Sequence, residues 1–291
     1  MPRATRARLS APGVSFCGGG FLGAYHVGAA SELAARRPHW LRRAPVAGAS
    51  AGALVGAAIC CGVDLEALRE DIHAMADAAR GPLGALNPLG PSLVALAAAK
   101  LEQRLPDDAH ARCAGRLHVA ISPLRGGLGF ALLSDFESRA ALIDALRCSS
   151  FVPGVTGGLL SAWPRVDGAP ALDGGLTRNW PRPRRDDTVC VSPFAGAPFH
   201  VCPRGDDRRA PRELAIQDVT LELSVANLHA ARDGLVPPSR EALDAWVERG
   251  REDARGFLES DPERLPSQHR RARGLVDACE AAPATRESRP S

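Results

Sequence analysis

The chain has 291 residues, 45% of them hydrophobic and 24% charged, with a formal net charge of +3. That balance suits a folded protein with a full core, and the absence of basic stripes interleaved with aromatics leaves nucleic-acid binding without support. No apolar run approaches a bilayer span, and the eight cysteines show neither C-x-x-C pairs nor metal-ligand spacing, so no metal or other cofactor is expected.

The opening MPRATRARLSAPG is basic but has no apolar h-region, so the expectation is a cytoplasmic protein with reduced thiols. Lys100 is the one lysine, and the arginine skew reads as genome composition. The pairs Arg184–Arg185, Arg208–Arg209 and Arg270–Arg271 read as solvated loops, with at most a weak attraction to anionic head groups.

Val14–Cys17 reads as a short buried strand and Gly23–Arg36 as a helix with an apolar face. A second strand, Pro45–Ala47, runs into Gly48 and an alanine-rich helix ending near Gly62, with Cys60 and Cys61 as core residues. Asp64 is a natural N-cap for a helix to about Ala79, and Ser92 for another that Pro106 stops after Leu105. Between them, GPLGALNPLGPS is rich in turn residues. RLHVAISPL and GFALL read as adjacent strands joined by the Gly126–Gly127 turn, followed by a helix over about Phe136–Cys148 capped at Ser134 or Ser138. PRVDGAPALDGG predicts a hairpin with Asp167–Gly168 at its tip, and DTVCVSPF one more strand. LELSVANLHAARDG and SREALDAWVERGREDARGFL carry helical periodicity, and from Glu259 the chain turns polar and Pro/Arg-rich, as a flexible tail does. Strands alternating with helices predict an α/β fold around a mainly parallel sheet.

Gly18–Gly23 spells G-x-G-x-x-G between a strand and a helix, the fingerprint of a dinucleotide-binding turn. Such a fold also needs Asp or Glu at the end of the next strand, to hold a ribose hydroxyl. That strand is PVAG, which carries no acid, so the cofactor reading fails. The strand leads instead into G-x-S-x-G, Gly48 to Gly52, a pattern that places Ser50 on a sharp strand-to-helix turn. In a chain rich in glycine and alanine the pattern also fits a small-residue helix packed on the sheet; its place between strand and helix favours the nucleophile elbow. The helix N-terminus there suits developing negative charge. Gly18, Gly19 and Gly20 then acquire a different role, because consecutive N–H groups aimed at one spot form an oxyanion hole. For a base, Asp173 stands in the tight turn ALDGGL with Gly174 and Gly175, although an isolated Asp-Gly turn is more often without chemistry. His200 and His229 are the histidine alternatives, neither in a motif, while His26 and His118 fit structural roles.

Glycine loop, G-x-S-x-G and D-G-G in that order resemble the patatin-like phospholipase family. SFCGGGFLGAYHVGAA, VAGASAGALV, CSSFVPG, LDGGLTRNWP, VSPFAG and ANLHAARDGLVPPSRE are similar to segments of its animal neutral-lipid branch, over residues 9–258. The resemblance implies a three-layer α/β/α sandwich in that domain, with residues 259–291 as tail. It implies a Ser–Asp dyad of Ser50 and Asp173, the Gly18–Gly20 oxyanion hole, no metal, and hydrolysis of neutral-lipid esters, with phospholipase A or transacylase activity alongside. Leu22 stands where many bacterial and plant members carry Arg or Lys, and the long C-terminal region of the larger lipases is not matched. Attachment to a lipid droplet or membrane surface is therefore expected to be peripheral. The acyl groove would draw on NPLGPSLVALAAAKL and on Phe151, Trp163 or Trp180, for which ordinary packing is the favoured reading. Competing readings are an α/β-hydrolase esterase with a Ser–His–Asp triad and a non-catalytic lipid-binding regulator.

Overall fold

The computed structural model describes residues 12–80, 92–157, 162–183, 188–204 and 212–260. The first eleven residues, nearly all of GPLGALNPLGPS, the three arginine pairs and the tail from 261 lie outside the described residues.

In chain order the elements are β1 (Gly13–Phe16), a 3-10 turn (Gly20–Leu22), α1 (Gly23–Arg36), α2 (Pro38–Leu41), β2 (Val46–Gly48), α3 (Ala51–Cys61) and α4 (Leu65–Ala79). Next come α5 (Leu93–Arg104), α6 (Ala109–Cys113), β3 (Leu117–Pro123), β4 (Ala131–Leu133), α7 (Arg139–Ser149), β5 (Arg165–Val166), β6 (Ala169–Asp173) and α8 (Gly175–Arg178). The last are β7 (Thr188–Val191), β8 (Gly196–Ala197), β9 (Glu213–Ile216), β10 (Val219–Glu222), α9 (Val225–Leu235) and α10 (Arg240–Glu259).

The main sheet runs β5-β6-β3-β2-β1-β7, with β4 also on β3. Its centre is parallel: β1 pairs β2 and β7, and β2 pairs β3. The hairpin β5–β6 is added antiparallel to β3. Helices flank this mostly parallel sheet, as strand–helix alternation requires. The central strands are buried along their length, which is why they are apolar rather than alternating.

The predicted caps form. Asp64 accepts from the Glu66 N–H, Ser92 from Ala95, and Ser138, not Ser134, from Ala141, satisfying donors the helix cannot. Cys60 and Cys61 are buried on α3. One expectation needs correction. LELSVANLHAARDG is not helical throughout: Leu221 and Glu222 belong to β10, and Ser224 caps a helix that begins at Val225. The second sheet, β8-β10-β9, was not legible. All four residues of β9 are exposed, so no buried face marks the strand, and four residues are too few for a pattern.

Candidate functional site

The site grows from the turn between β2 and α3. Ser50 sits there at φ 51°, ψ −128°, a conformation that costs a residue with a side chain on the order of 1–3 kcal/mol. The glycines on either side make the turn possible. A side chain at Gly52 would strike the carbonyl oxygens of Phe16 and Cys17, and one at Gly48 the backbone of Gly52 and Ala53. The elbow therefore lies directly on the end of β1, where the Ala49 N–H donates to the Phe16 carbonyl at 3.3 Å.

Asp173 ends β6 and is 7% exposed. Its N–H donates to the Phe151 carbonyl at 2.9 Å, and its carboxylate accepts the Gly175 N–H at 2.7 Å. Burial is the largest influence on the acid and raises it; the neighbouring Ser50 side chain and the Gly175 N–H oppose that, leaving a value pushed up to about 6. Ser149, at the end of α7, ties the two together. Its hydroxyl accepts the Ser50 N–H at 3.0 Å and its carbonyl accepts the Gly174 N–H at 3.4 Å.

The glycine loop closes the third side, and here sequence reasoning missed a residue. Asn179 clamps Gly18: its Oδ1 accepts the Gly18 N–H at 3.0 Å, and its Nδ2 donates to the Gly18 carbonyl at 3.3 Å. Gln217, in the turn between β9 and β10, accepts the Asn179 N–H at 2.7 Å and donates to the Gly175 carbonyl at 3.1 Å. A polar residue so soon after D-G-G, at the foot of α8, was the available signal for Asn179; nothing local marks Gln217.

A cavity of about 490 Å³ opens at this point, with Ser50, Asp173 and Gly18–Gly20 in its wall. It follows α3 past Leu54 and Ala58, and α5 from Leu93 to Arg104, a helix of twelve residues and therefore about 18 Å. The lining is mostly apolar and includes one charged group, Asp71, Lys100 and Arg104, away from Asp173. Asp71, 3% exposed, accepts Lys100 Nζ at 3.1 Å and Arg104 Nε at 2.9 Å. Burial works against its ionisation, but those two cations outweigh it and hold the carboxyl below the usual range.

The predicted groove residues divide. Leu93, Val94, Ala97 and Leu101 of the α5 segment line the cavity, whereas Phe151, Trp163 and Trp180 do not. Phe151 meets Trp163 edge-on, and Trp180 packs with Cys17 and Val219. None of His26, His118, His200 or His229 lines the cavity. His26 is buried, with Nε2 2.8 Å from the Cys17 carbonyl, and desolvation lowers its pKa to about 4. His200 Nδ1 accepts the Cys190 N–H at 3.0 Å.

These features define an α/β protein that presents a serine–aspartate pair to the mouth of a long apolar cavity. The chain belongs to the patatin-like phospholipase family, whose model, described as Patatin-like phospholipase, matches residues 14–183. It is 35% identical over 248 residues to patatin-like phospholipase domain-containing protein 2 of Rattus norvegicus, covering 84% of this chain and 50% of that one. A 1-acylglycerol-3-phosphate O-acyltransferase of Mus musculus is 33% identical over 253 residues, covering 85% and 59%. An omega-hydroxyceramide transacylase of Homo sapiens is 34% identical over 249 residues, covering 84% and 45%. The chain thus spans about half the length of the curated relatives it matches. Among solved structures, VipD from Legionella pneumophila aligns with a TM-score of 0.39 and 15% identity, covering 62% of this chain and 49% of that one.

Proposed function

We propose that the protein is a serine acyl hydrolase of lipid esters, with neutral glycerolipids as the favoured substrate class, acting through Ser50 and Asp173. The observation that carries this reading is Ser50, on its strained turn, sharing the wall of one apolar cavity with the buried carboxylate of Asp173. Asp173 takes the Ser50 proton as Oγ attacks the ester carbonyl carbon. The Gly18–Gly20 loop receives the resulting oxyanion. Because the Gly18 N–H is directed at Asn179, the work falls on Gly19 and Gly20, at about 3–4 kcal/mol for a donor of this kind. Asp173 returns the proton to the departing alcohol oxygen, leaving an acyl-enzyme and a free alcohol or lysolipid. Water, deprotonated by Asp173, then attacks the acyl carbon and releases the fatty acid, restoring Ser50.

A second outcome of the same intermediate is transfer to an acceptor alcohol in place of water. The acyltransferase and transacylase names of two relatives favour testing it. The approach of the protein to its substrate is peripheral in this reading; among the described residues no helix is long and apolar enough to cross a membrane.

Labelling with a fluorophosphonate, followed by mass spectrometry, tests the proposal. The expected adduct lies on Ser50, is absent in Ser50→Ala and is strongly slowed in Asp173→Asn. Folded protein that takes no adduct overturns the hydrolase reading and favours a lipid-binding regulator.

A further inference from the structure

Helix α9 wears its amphipathic pattern the wrong way round. Val225 and Leu228 are each 69% exposed, and Leu235 is 58% exposed; at 100° per residue they fall on one side of the helix, with Arg232 between them. The opposite side, Ala230 and Gly234, is buried. A surface helix normally turns its apolar stripe inward, so the outward stripe requires an explanation.

It does not stand alone. β9 is exposed at every residue and displays Leu214 and Ile216, which share one face of the strand. The Leu223 N–H donates to the carbonyl of Arg212, just before β9, and Asn227 of α9 donates to the carbonyls of Glu222, at the end of β10, and of Ala195, so the hairpin and α9 are held side by side. At its other end the β9–β10 turn holds Leu176, because Gln217 donates to the Leu176 carbonyl. Leu176 and Leu235 are both exposed and both line the cavity that contains Ser50. Leu235 on α9 and Leu176 beside the hairpin thus carry exposed apolar surface to the cavity, and apolar surface grouped in this way marks interaction sites where scattered leucines do not.

We infer that this rim, built from α9 and the β9–β10 hairpin, is the face by which the protein docks on a phospholipid-covered lipid surface. Val225, Leu228, Leu214 and Ile216 enter the acyl layer around the cavity mouth. The inference rests on the lipid hydrolase reading, since its use is to let an acyl chain pass from the lipid phase to Ser50 without crossing water. Charge decides between modes of attachment. Along residues 212–235 Arg212 and Arg232 are outnumbered by Glu213, Asp218, Glu222 and Asp233, so this stretch carries no cationic excess to seek anionic lipid. Docking is carried by apolar insertion into a zwitterionic surface.

The test is flotation of the full chain with phosphatidylcholine vesicles, in parallel with hydrolysis of a soluble short-chain ester. Two variants on separate elements are compared, Val225→Gln/Leu228→Gln and Leu214→Gln/Ile216→Gln, so that a failure of one to fold does not decide the matter. The expected result is vesicle binding by the wild type that falls at least about ten-fold in either folded variant, with soluble-ester turnover retained. Added salt should leave the wild-type binding in place. Binding unchanged in both variants, or no vesicle binding by the wild type, overturns the inference. So does a wild-type dimer that the substitutions dissociate, because a second copy would then cover the rim. Vesicle binding that depends on the rim, without any ester turnover, removes the hydrolase reading and leaves the docking face in place.

Discussion

The β1–α1–β2–α3 half of the molecule and the β8–β10–α9 half treat their apolar residues in opposite ways. In the first, Val14, Phe16, Leu22, Tyr25 and Leu33 are all completely buried, and the serine turn is pressed against β1 so tightly that only glycine fits beside it. In the second, Leu214, Ile216, Leu223, Val225 and Leu228 face outward from short elements held mainly by polar side chains such as Asn227 and Gln217. The close-packed half can sustain a strained residue because its surroundings over-determine the backbone. The other half has surface to offer and little interior to lose. In the proposed reading chemistry and contact with the outside are thus separated, and Asn179 with Gln217 is the hydrogen-bonded seam between the two halves.

Substitutions in the two halves should therefore have unlike consequences. The largest effect is expected at the dyad. Ser50→Ala should reduce ester turnover by about ten-thousand-fold or more while circular dichroism and thermal unfolding stay near wild type. Asp173→Asn should approach the same loss, and its unfolding should show no cost at neutral pH. The sign follows from burial: the folded carboxyl titrates at about 6, against 3.8 for a free aspartate, so any stability its proton provides is fully present below pH 4 and lost as pH rises through 6. An amide avoids that loss. An Asp173→Asn protein markedly less stable at pH 7.5 would contradict the account.

The same value sets the pH profile. Asp173 must be ionised to act as base, so kcat/KM for a soluble ester should rise with a midpoint near pH 6 and then level off. A midpoint near that of an unperturbed carboxylate, or a profile following a histidine that His200→Ala or His229→Ala abolishes, would shift the assignment.

At the seam, Asn179→Ala removes both side-chain hydrogen bonds to Gly18 and should lower kcat by about ten- to a hundred-fold with little change in KM. Equal changes in KM would point to altered substrate binding instead of a displaced glycine loop.

The smallest effects concern stability and sharpen the contrast directly. Leu33→Ala should cost about 2–5 kcal/mol in chemical denaturation, because it empties a completely buried site on α1. Leu228→Gln should stay within about 0.5 kcal/mol, since it faces solvent. A large loss at Leu228 would mean that the rim is part of the core.

The sequence by itself determined the parallel centre of the sheet, the principal helices and their caps, because those signals are local: apolar runs between glycines, and Asp64, Ser92 and Ser138 each two or three residues from the N–H it accepts. Ser50, Asp173 and the glycine loop were singled out for a similar reason, each lying in a short stretch whose glycines announce an unusual backbone. Tertiary structure alone decided what brings them together. Ser149, Asn179 and Gln217 act across separations of 99, 161 and 38 residues, through a few hydrogen bonds that leave no period or spacing in the chain. The outward face of α9 was likewise undecided. Its 3.6-residue periodicity reveals that one side differs from the other, but which side meets the core depends on what else is packed there, and Ala195 and the glycine loop occupy the side that Ala230 and Gly234 face.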